Sequence, residues 1–159
     1  MTNSPLDLLP GYKGYKDLEA RRESDKQARL AVAAELARHT AQITQVQNDA
    51  MREGGLAFMD ALGTLKTAIQ TLADKISAAP RGYTGLFATR NIQADTLDQV
   101  LSFDRELLNE ATALGPAVEA VEQAMLAGAG QQAAIRAAQN AVKAVATTFE
   151  KRAKILAGG

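Results

Sequence analysis

Residues 32–50, VAAELARHTAQITQVQNDA, decide the fold, because their core-type positions recur at alternating intervals of four and three residues. These positions are Val32, Leu36, His39, Ile43, Val46 and Ala50. The spacing places one side chain per turn along a single helix face, as in helices that pack together with about 3.5 residues per turn. The stretch therefore predicts a long helix that buries one face against other helices.

Four more segments of the chain carry the same spacing. Their apolar positions are Phe58, Leu62, Leu65, Ile69, Leu72 and Ile76; Leu97, Val100, Leu101, Leu107, Leu108, Ala111 and Leu114; Val118, Val121 and Met125; and Ile135, Ala138, Val142, Val145, Phe149 and Leu156. Strand-forming residues are too sparse for several strands, and alanine, the best helix former, is abundant. The sequence therefore predicts an all-α fold, an antiparallel bundle of three to four long helices plus one short helix with coiled-coil-like packing.

Glycines and prolines divide the chain between these segments. Those near the N-terminus predict an irregular arm over residues 1–15. A single helical-bundle domain is predicted over residues 16–157, and its first helix is expected to begin near Tyr15 or Lys16. Residues 77–95 form the longest break. A chain of this length has room for one such domain with a substantial core.

Two breaker pairs inside the helical region are expected to interrupt it. At Gly54-Gly55 the four-and-three spacing slips in phase, so either the chain turns back or one long helix kinks there. A turn is favoured, because two glycines cost roughly 2 kcal/mol relative to alanine in a helix interior. Gly115-Pro116 is expected to end the third long helix, with the proline in the first turn of a short helix that follows.

Composition excludes several classes of function. The 159 residues carry 18 basic and 18 acidic side chains, whereas a generic nucleic-acid-binding protein has a basic excess. The absence of cysteine excludes disulfides and thiol chemistry. No signal peptide and no membrane-spanning segment are predicted, so a cytoplasmic location is expected, with peripheral membrane contact as the alternative.

His39 is the one histidine, and it lies on the apolar face. It is either a metal ligand or general base, or a packed helix residue with a hydrogen-bonded imidazole. The second interpretation is favoured, because one histidine without cysteine cannot assemble a usual zinc site. No serine lies in a Gly-x-Ser-x-Gly motif, and no glycine group matches a phosphate-binding loop. We therefore predict no catalytic, cofactor-binding or metal-binding residue, and no enzyme activity.

The two ends of the helical region are strongly charged. Residues 17–29, DLEARRESDKQAR, are polar almost all round and are expected to be held by helix propensity and spaced ion pairs. The first helix is expected to overhang the bundle there and to pair with a second copy, giving a homodimer. Near the C-terminus, four basic residues suit the negative end of a helix dipole, or alternatively a nucleic-acid or anionic lipid surface. They are Lys143, Lys151, Arg152 and Lys154.

Aromatic residues in glycine-rich segments are the main candidates for recognition. Tyr12 and Tyr15 lie in the arm, and Tyr83 and Phe87 lie in the longest break. They either cap one end of the bundle or form a surface for a protein partner, where tyrosine is enriched. If the chain turns at Gly54-Gly55, the two segments lie at the same end. The predicted partner surface consists of Tyr12, Tyr15, Arg21, Arg22, Tyr83 and Phe87.

Scattered motifs over about residues 10–115 resemble a group of uncharacterised bacterial helical proteins. The motifs are PGYKGYK at residues 10–16, the GYTGLF turn at residues 82–87 and the pair Phe103-Asp104. Charged residues after the first motif add to the likeness: Glu19, Arg21, Arg22, Asp25, Lys26 and Arg29. The resemblance brings no established activity and no functional residue. Since such proteins accompany membrane-associated band-7 scaffolds, it implies at most a helper role near a membrane.

These observations together favour a non-enzymatic helical interaction or scaffold protein. It is expected to act on a protein partner through its overhanging charged helix and its tyrosine-bearing loops. The alternatives are a peripheral membrane-associated stress-response component, which would use the charged helices, and a nucleic-acid-binding accessory protein. The balanced charge makes the nucleic-acid alternative the weaker of the two.

Overall fold

The computed structural model describes residues 12–78 and 94–156, and almost all of them are helical. Helix α1 spans Tyr12–Arg52, and a single 3-10 turn, Leu56–Phe58, follows it. The other helices are α2 (Met59–Ala78), α3 (Ala94–Ala127) and α4 (Gln131–Leu156). The described part of the chain contains no strand, which confirms the predicted all-α bundle.

The four helices run alternately up and down, but their neighbours are not all antiparallel. Helix α1 packs along both α2 and α3, and α4 packs along α3 and, less extensively, α2. The pairs α1–α2 and α3–α4 are antiparallel, whereas α1 and α3 run in the same direction. Helices α2 and α3 therefore lie diagonally across the bundle, and residues 79–93 connect one to the other.

One continuous apolar core runs along the bundle and is built from the predicted face of each helix. Its fully buried members include Leu36, Ile43, Leu65, Ile69 and Leu114. Alternation of larger residues with alanine, as at Ala111 and Ala138, lets the helices approach closely. Phe58, Met125 and Phe149 are only partly buried at the core margin. The four-and-three spacing thus identified most of the apolar core, although Leu101 and Leu108 are only partly buried and the side chains of Leu97 and Leu156 are not described.

The chain turns back at Gly54-Gly55, as predicted. Helix α1 ends at Arg52, and Gly54 has a φ of 83°, a left-handed conformation that costs other residues about 1–2 kcal/mol. The Gly55 N–H donates to the Ala50 carbonyl at 2.8 Å, which closes the end of α1. The backbone of Gly55 packs tightly against α3, since a Cβ added at this position would lie 2.9 Å from Met125 Cε. A larger residue would therefore require Met125 to move.

Two predicted helix boundaries differ from the structure. Helix α1 begins at Tyr12, so residues 12–15 of the predicted arm are helical; Gly14 costs only about 1 kcal/mol in a long, already formed helix. The predicted break at Gly115-Pro116 is wrong, because α3 continues through Pro116. The apolar spacing keeps its phase from Leu114 to Val118, so both halves of α3 bury the same face. That burial offsets the hydrogen bond lost at the proline.

The turn predicts opposite effects on stability for alanine substitutions at two glycines. Gly54→Ala is expected to lower the free energy of unfolding by about 1–2 kcal/mol, because alanine must adopt a positive φ. Gly63→Ala is the matched control inside α2, where the nearest atom to an added Cβ is 3.6 Å away. It should raise the free energy of unfolding by about 0.5–1 kcal/mol, since alanine favours helix. Urea denaturation measures both, and equal effects would contradict the turn.

Candidate functional site: a buried ionic cluster and the helix that extends past it

Four charged side chains meet inside one end of the bundle and form what we call the ionic cluster: Asp25, Arg29, Asp104 and Arg152. Each is at most 3 % exposed. Arg29 Nε donates to Asp25 Oδ2 at 3.0 Å, and Arg152 Nε donates to Asp104 Oδ1 at 2.6 Å. Arg152 Nη2 also donates to Asp25 Oδ1. The cluster therefore joins α1, α3 and α4, and Arg29 Nη1 reaches α2 through the Ile76 carbonyl at 3.5 Å.

The ionic cluster occupies core positions of the helical pattern. Asp25 and Arg29 continue the spacing of α1 backwards from Val32 by intervals of three and four residues. Asp104 precedes Leu107 by three residues, and Arg152 lies on the apolar face of α4. Residues 17–29 were predicted to be polar almost all round and held by spaced ion pairs; Asp25 and Arg29 form such a pair, but both side chains are buried. The phase of the spacing was the signal that could have identified them.

Burial sets the electrostatics of the two aspartates. Burial raises the pKa of Asp104 to about 8; the neighbouring Asp25 acts in the same direction, and Arg152 opposes it. Burial also acts to raise the pKa of Asp25, but contacts with Asp104, Arg152 and Arg29 outweigh it and lower that pKa. Asp104 Oδ2 has no hydrogen-bond partner in the described part of the chain. The pair therefore holds a proton on Asp104 near neutral pH while Asp25 stays ionised.

Two further polar groups lie along the same bundle. His39 is 3 % exposed, and its Nε2 lies 2.8 Å from the Ala111 carbonyl of α3, which fits the packed, hydrogen-bonded histidine predicted. Glu110 accepts a hydrogen bond from Thr148 Oγ1 at 2.9 Å, and burial raises its pKa. Among the described residues, no group of three or more histidine and acidic side chains is arranged to hold a metal ion.

Two parallel helices continue past the ionic cluster. Helix α2 ends two residues after Ile76, and α4 ends one turn after Arg152. Helix α1 extends over residues 12–24, about 20 Å at 1.5 Å per residue, and we call this segment the α1 extension. Helix α3 accompanies it over residues 94–103. The side chains described in the α1 extension are all exposed: Glu19, Ala20, Glu23 and Ser24.

The structure leaves the predicted partner surface untested. Tyr12, Tyr15, Arg21 and Arg22 belong to α1, but only their backbone is described. Tyr83 and Phe87 fall outside the described residues. Since the chain turns at Gly54-Gly55, the end of α2 and the start of α1 lie at the same end of the bundle. The condition for the two tyrosine-bearing segments to meet is therefore fulfilled, while their contact stays a prediction.

One of the four residues in the predicted basic surface of the last helix is buried. Arg152 is 1 % exposed and belongs to the ionic cluster, whereas Lys143, Lys151 and Lys154 are exposed. An extended basic surface for nucleic acid or anionic lipid is correspondingly smaller than the sequence suggested. No helix in the described ranges is both long and apolar enough to cross a bilayer.

Comparisons with known proteins add no relative to this description. No family model, no curated protein and no solved structure matches the chain.

Proposed function

We propose that this protein is a non-enzymatic interaction or scaffold protein that binds a protein partner through the α1 extension. The observation that carries the proposal is the length of α1, which has 41 residues against 20 in α2, 34 in α3 and 26 in α4. Helix α1 continues past the described ends of α2 and α4, and only the first residues of α3 run beside it there. Keeping its backbone and side chains ordered in this segment costs conformational entropy. Contacts with a partner would offset that cost.

The ionic cluster supports this role by fixing the direction in which the α1 extension leaves the bundle. Buried charges must remain paired, because removing one partner leaves an uncompensated charge in the interior. Asp25 is paired with Arg29 on its own helix and with Arg152 on α4. Rotation or sliding of α1 would separate these groups, so the helix is held in one register at its exit. A rigid projecting helix loses little entropy on binding.

The composition of the α1 extension suits a protein partner better than a lipid or nucleic-acid surface. Its sequence, YKGYKDLEARRES, mixes both signs of charge with Tyr12 and Tyr15. Tyrosine and arginine are enriched at protein interfaces. The α1 extension also contains two arginines, Arg21 and Arg22. The protein partner can also be a second copy of this chain, so a homodimer formed through the α1 extension is one form of the proposal.

Site-specific photo-crosslinking in cells tests the proposal directly. A photoreactive phenylalanine analogue is placed at Ala20 or Ser24, one turn apart on the exposed α1 extension. The matched controls are Ala37 and Ala41, which are also exposed and one turn apart but lie within the bundle. We expect a discrete crosslinked protein, or a crosslinked dimer, from the first pair and none from the second.

The same experiment can reject the proposal. Crosslinks of equal yield from both pairs would indicate non-specific encounters along α1. Crosslinks only to lipid or nucleic acid from Ala20 and Ser24 would favour one of the alternative functions. Circular dichroism of each variant confirms that the exposed substitutions leave the helical content unchanged.

A further inference from the structure

A cavity of about 300 Å³ lies at the opposite end of the bundle from the ionic cluster. It forms where the last turns of α1 and α3 meet Phe58 and the first residue of α4, Gln131. This volume is at the lower end of the range for ligand pockets and suits one anchoring side chain. The cavity is therefore a second candidate surface, independent of the proposed α1 extension.

The lining of the cavity combines apolar side chains with carboxylates. Val46, Phe58 and Met125 supply its apolar part. Three acidic residues also line it: Asp49, Glu53 and Glu122. None of the lining residues, all of which lie in the described ranges, is a lysine or an arginine. An apolar cavity with this charge complements a group that is cationic and carried on an apolar stem.

The carboxylates have neutral hydrogen-bond donors. Asp49 Oδ1 accepts a hydrogen bond from Gln45 Nε2 at 3.1 Å, and Glu122 Oε2 accepts one from Gln42 Nε2 at 3.2 Å. These amides orient the carboxylates without neutralising them. Both kinds of helix terminus meet at this end of the bundle, so the helix dipoles partly cancel. The three carboxylates therefore supply all the formal charge of the cavity lining.

Exposed apolar residues are concentrated at the same end. The large hydrophobic side chains exposed in the described part of the chain are Leu30, Met51, Leu56 and Leu126. Three of them lie at this end of the bundle. Met51 is the penultimate residue of α1, Leu56 lies in the turn after α1, and Leu126 is the penultimate residue of α3. Of these, only Leu126 lines the cavity. An occupant of the cavity alone would leave Met51 and Leu56 in water, whereas a longer peptide segment reaches past the cavity mouth.

We infer that this end of the bundle is a docking surface for a partner-protein segment that presents a lysine or arginine flanked by apolar side chains. The basic side chain enters the cavity, where its stem contacts Phe58 and Met125 and its charge meets Asp49 and Glu122. The flanking apolar residues pack at the bundle end. Together with the α1 extension, this surface gives the chain a binding site at each end.

Selection from a random peptide library on the full-length protein tests the inference. We expect the enriched peptides to carry a basic residue between apolar ones. The double variant Asp49→Asn, Glu122→Gln should bind these peptides about fivefold or more weakly. Each substitution keeps the shape of the side chain but removes its negative charge. Glu119→Gln, an exposed substitution one turn earlier in α3, is the matched control and should leave affinity unchanged.

Three outcomes overturn the inference. Enriched peptides without a basic residue, or no enrichment at all, would show that the charge complementarity selects nothing. An equal loss of affinity in Glu119→Gln would show that the effect comes from net charge. Binding of hexylammonium ions as tightly as the peptides would assign the cavity to small amines instead. Thermal unfolding confirms that each variant is folded before affinity is compared.

Discussion

Replacing Arg152 with methionine is expected to lower the free energy of unfolding by about 3–5 kcal/mol, the usual loss when one partner of a buried ion pair is removed. Methionine fills the volume of the arginine stem but removes the arginine donor of Asp104 and one of the two arginines that pair with Asp25. In a domain of this size the melting temperature should fall by about 10 °C. Urea denaturation followed by circular dichroism measures the change.

Arg38→Met is the matched control for this prediction. The Arg38 side chain is 75 % exposed and pairs with Glu35 at 2.8 Å on the surface of α1. Its loss should change the free energy of unfolding by less than about 1 kcal/mol. Adding Asp104→Leu to Arg152→Met should recover part of the stability, because it removes a buried carboxyl group that has lost its hydrogen-bond donor. Equal effects of Arg152→Met and Arg38→Met would contradict the buried cluster.

The protein is expected to lose stability as the pH rises from about 5 to 8.5. The pKa of Asp104 is raised from 3.8 to about 8 in the folded state. Between those values the folded chain holds a proton that the unfolded chain has released, so stability falls with rising pH. The slope from this group approaches about 1.4 kcal/mol per pH unit, because one proton is exchanged. The raised pKa of Glu110 acts in the same direction.

Asp25 limits this trend at acid pH. Its pKa is lowered, so its contribution is present above its ordinary value of 3.8 and is lost as the pH falls through its folded value. Maximum stability is therefore expected near pH 4–5, between the two effects. Urea denaturation across this range gives the profile directly.

Asp104→Asn isolates the group responsible. An amide can still accept from Arg152 and resembles the protonated acid in shape, so the variant should match the wild type near pH 5. At pH 8.5 it should be the more stable protein, because position 104 no longer carries a buried carboxyl group that ionises. Glu119→Gln, exposed on the same helix, should leave the slope unchanged. A pH slope that persists in Asp104→Asn would show that another group controls it.

The phase of the apolar spacing, more than the breaker residues, carried the information about helix continuity. At Gly54-Gly55 the phase slips, and the chain turns there. At Gly115-Pro116 the phase is kept, and α3 continues despite the proline. Reading Pro116 as a helix end was wrong because burial of Leu114 and Val118 in one core outweighs one lost hydrogen bond.

The sequence by itself determined the helical class, most of the apolar core positions and the turn, because these depend on spacing and propensity within each segment. Only the tertiary structure decided that α1 lies beside α3 and diagonal to α4, since similar apolar faces can pack in several orders. The order matters for Asp25, Asp104 and Arg152. Each of these charges alone would be costly in a core, and they become compatible with burial only where three helices bring them to the same level.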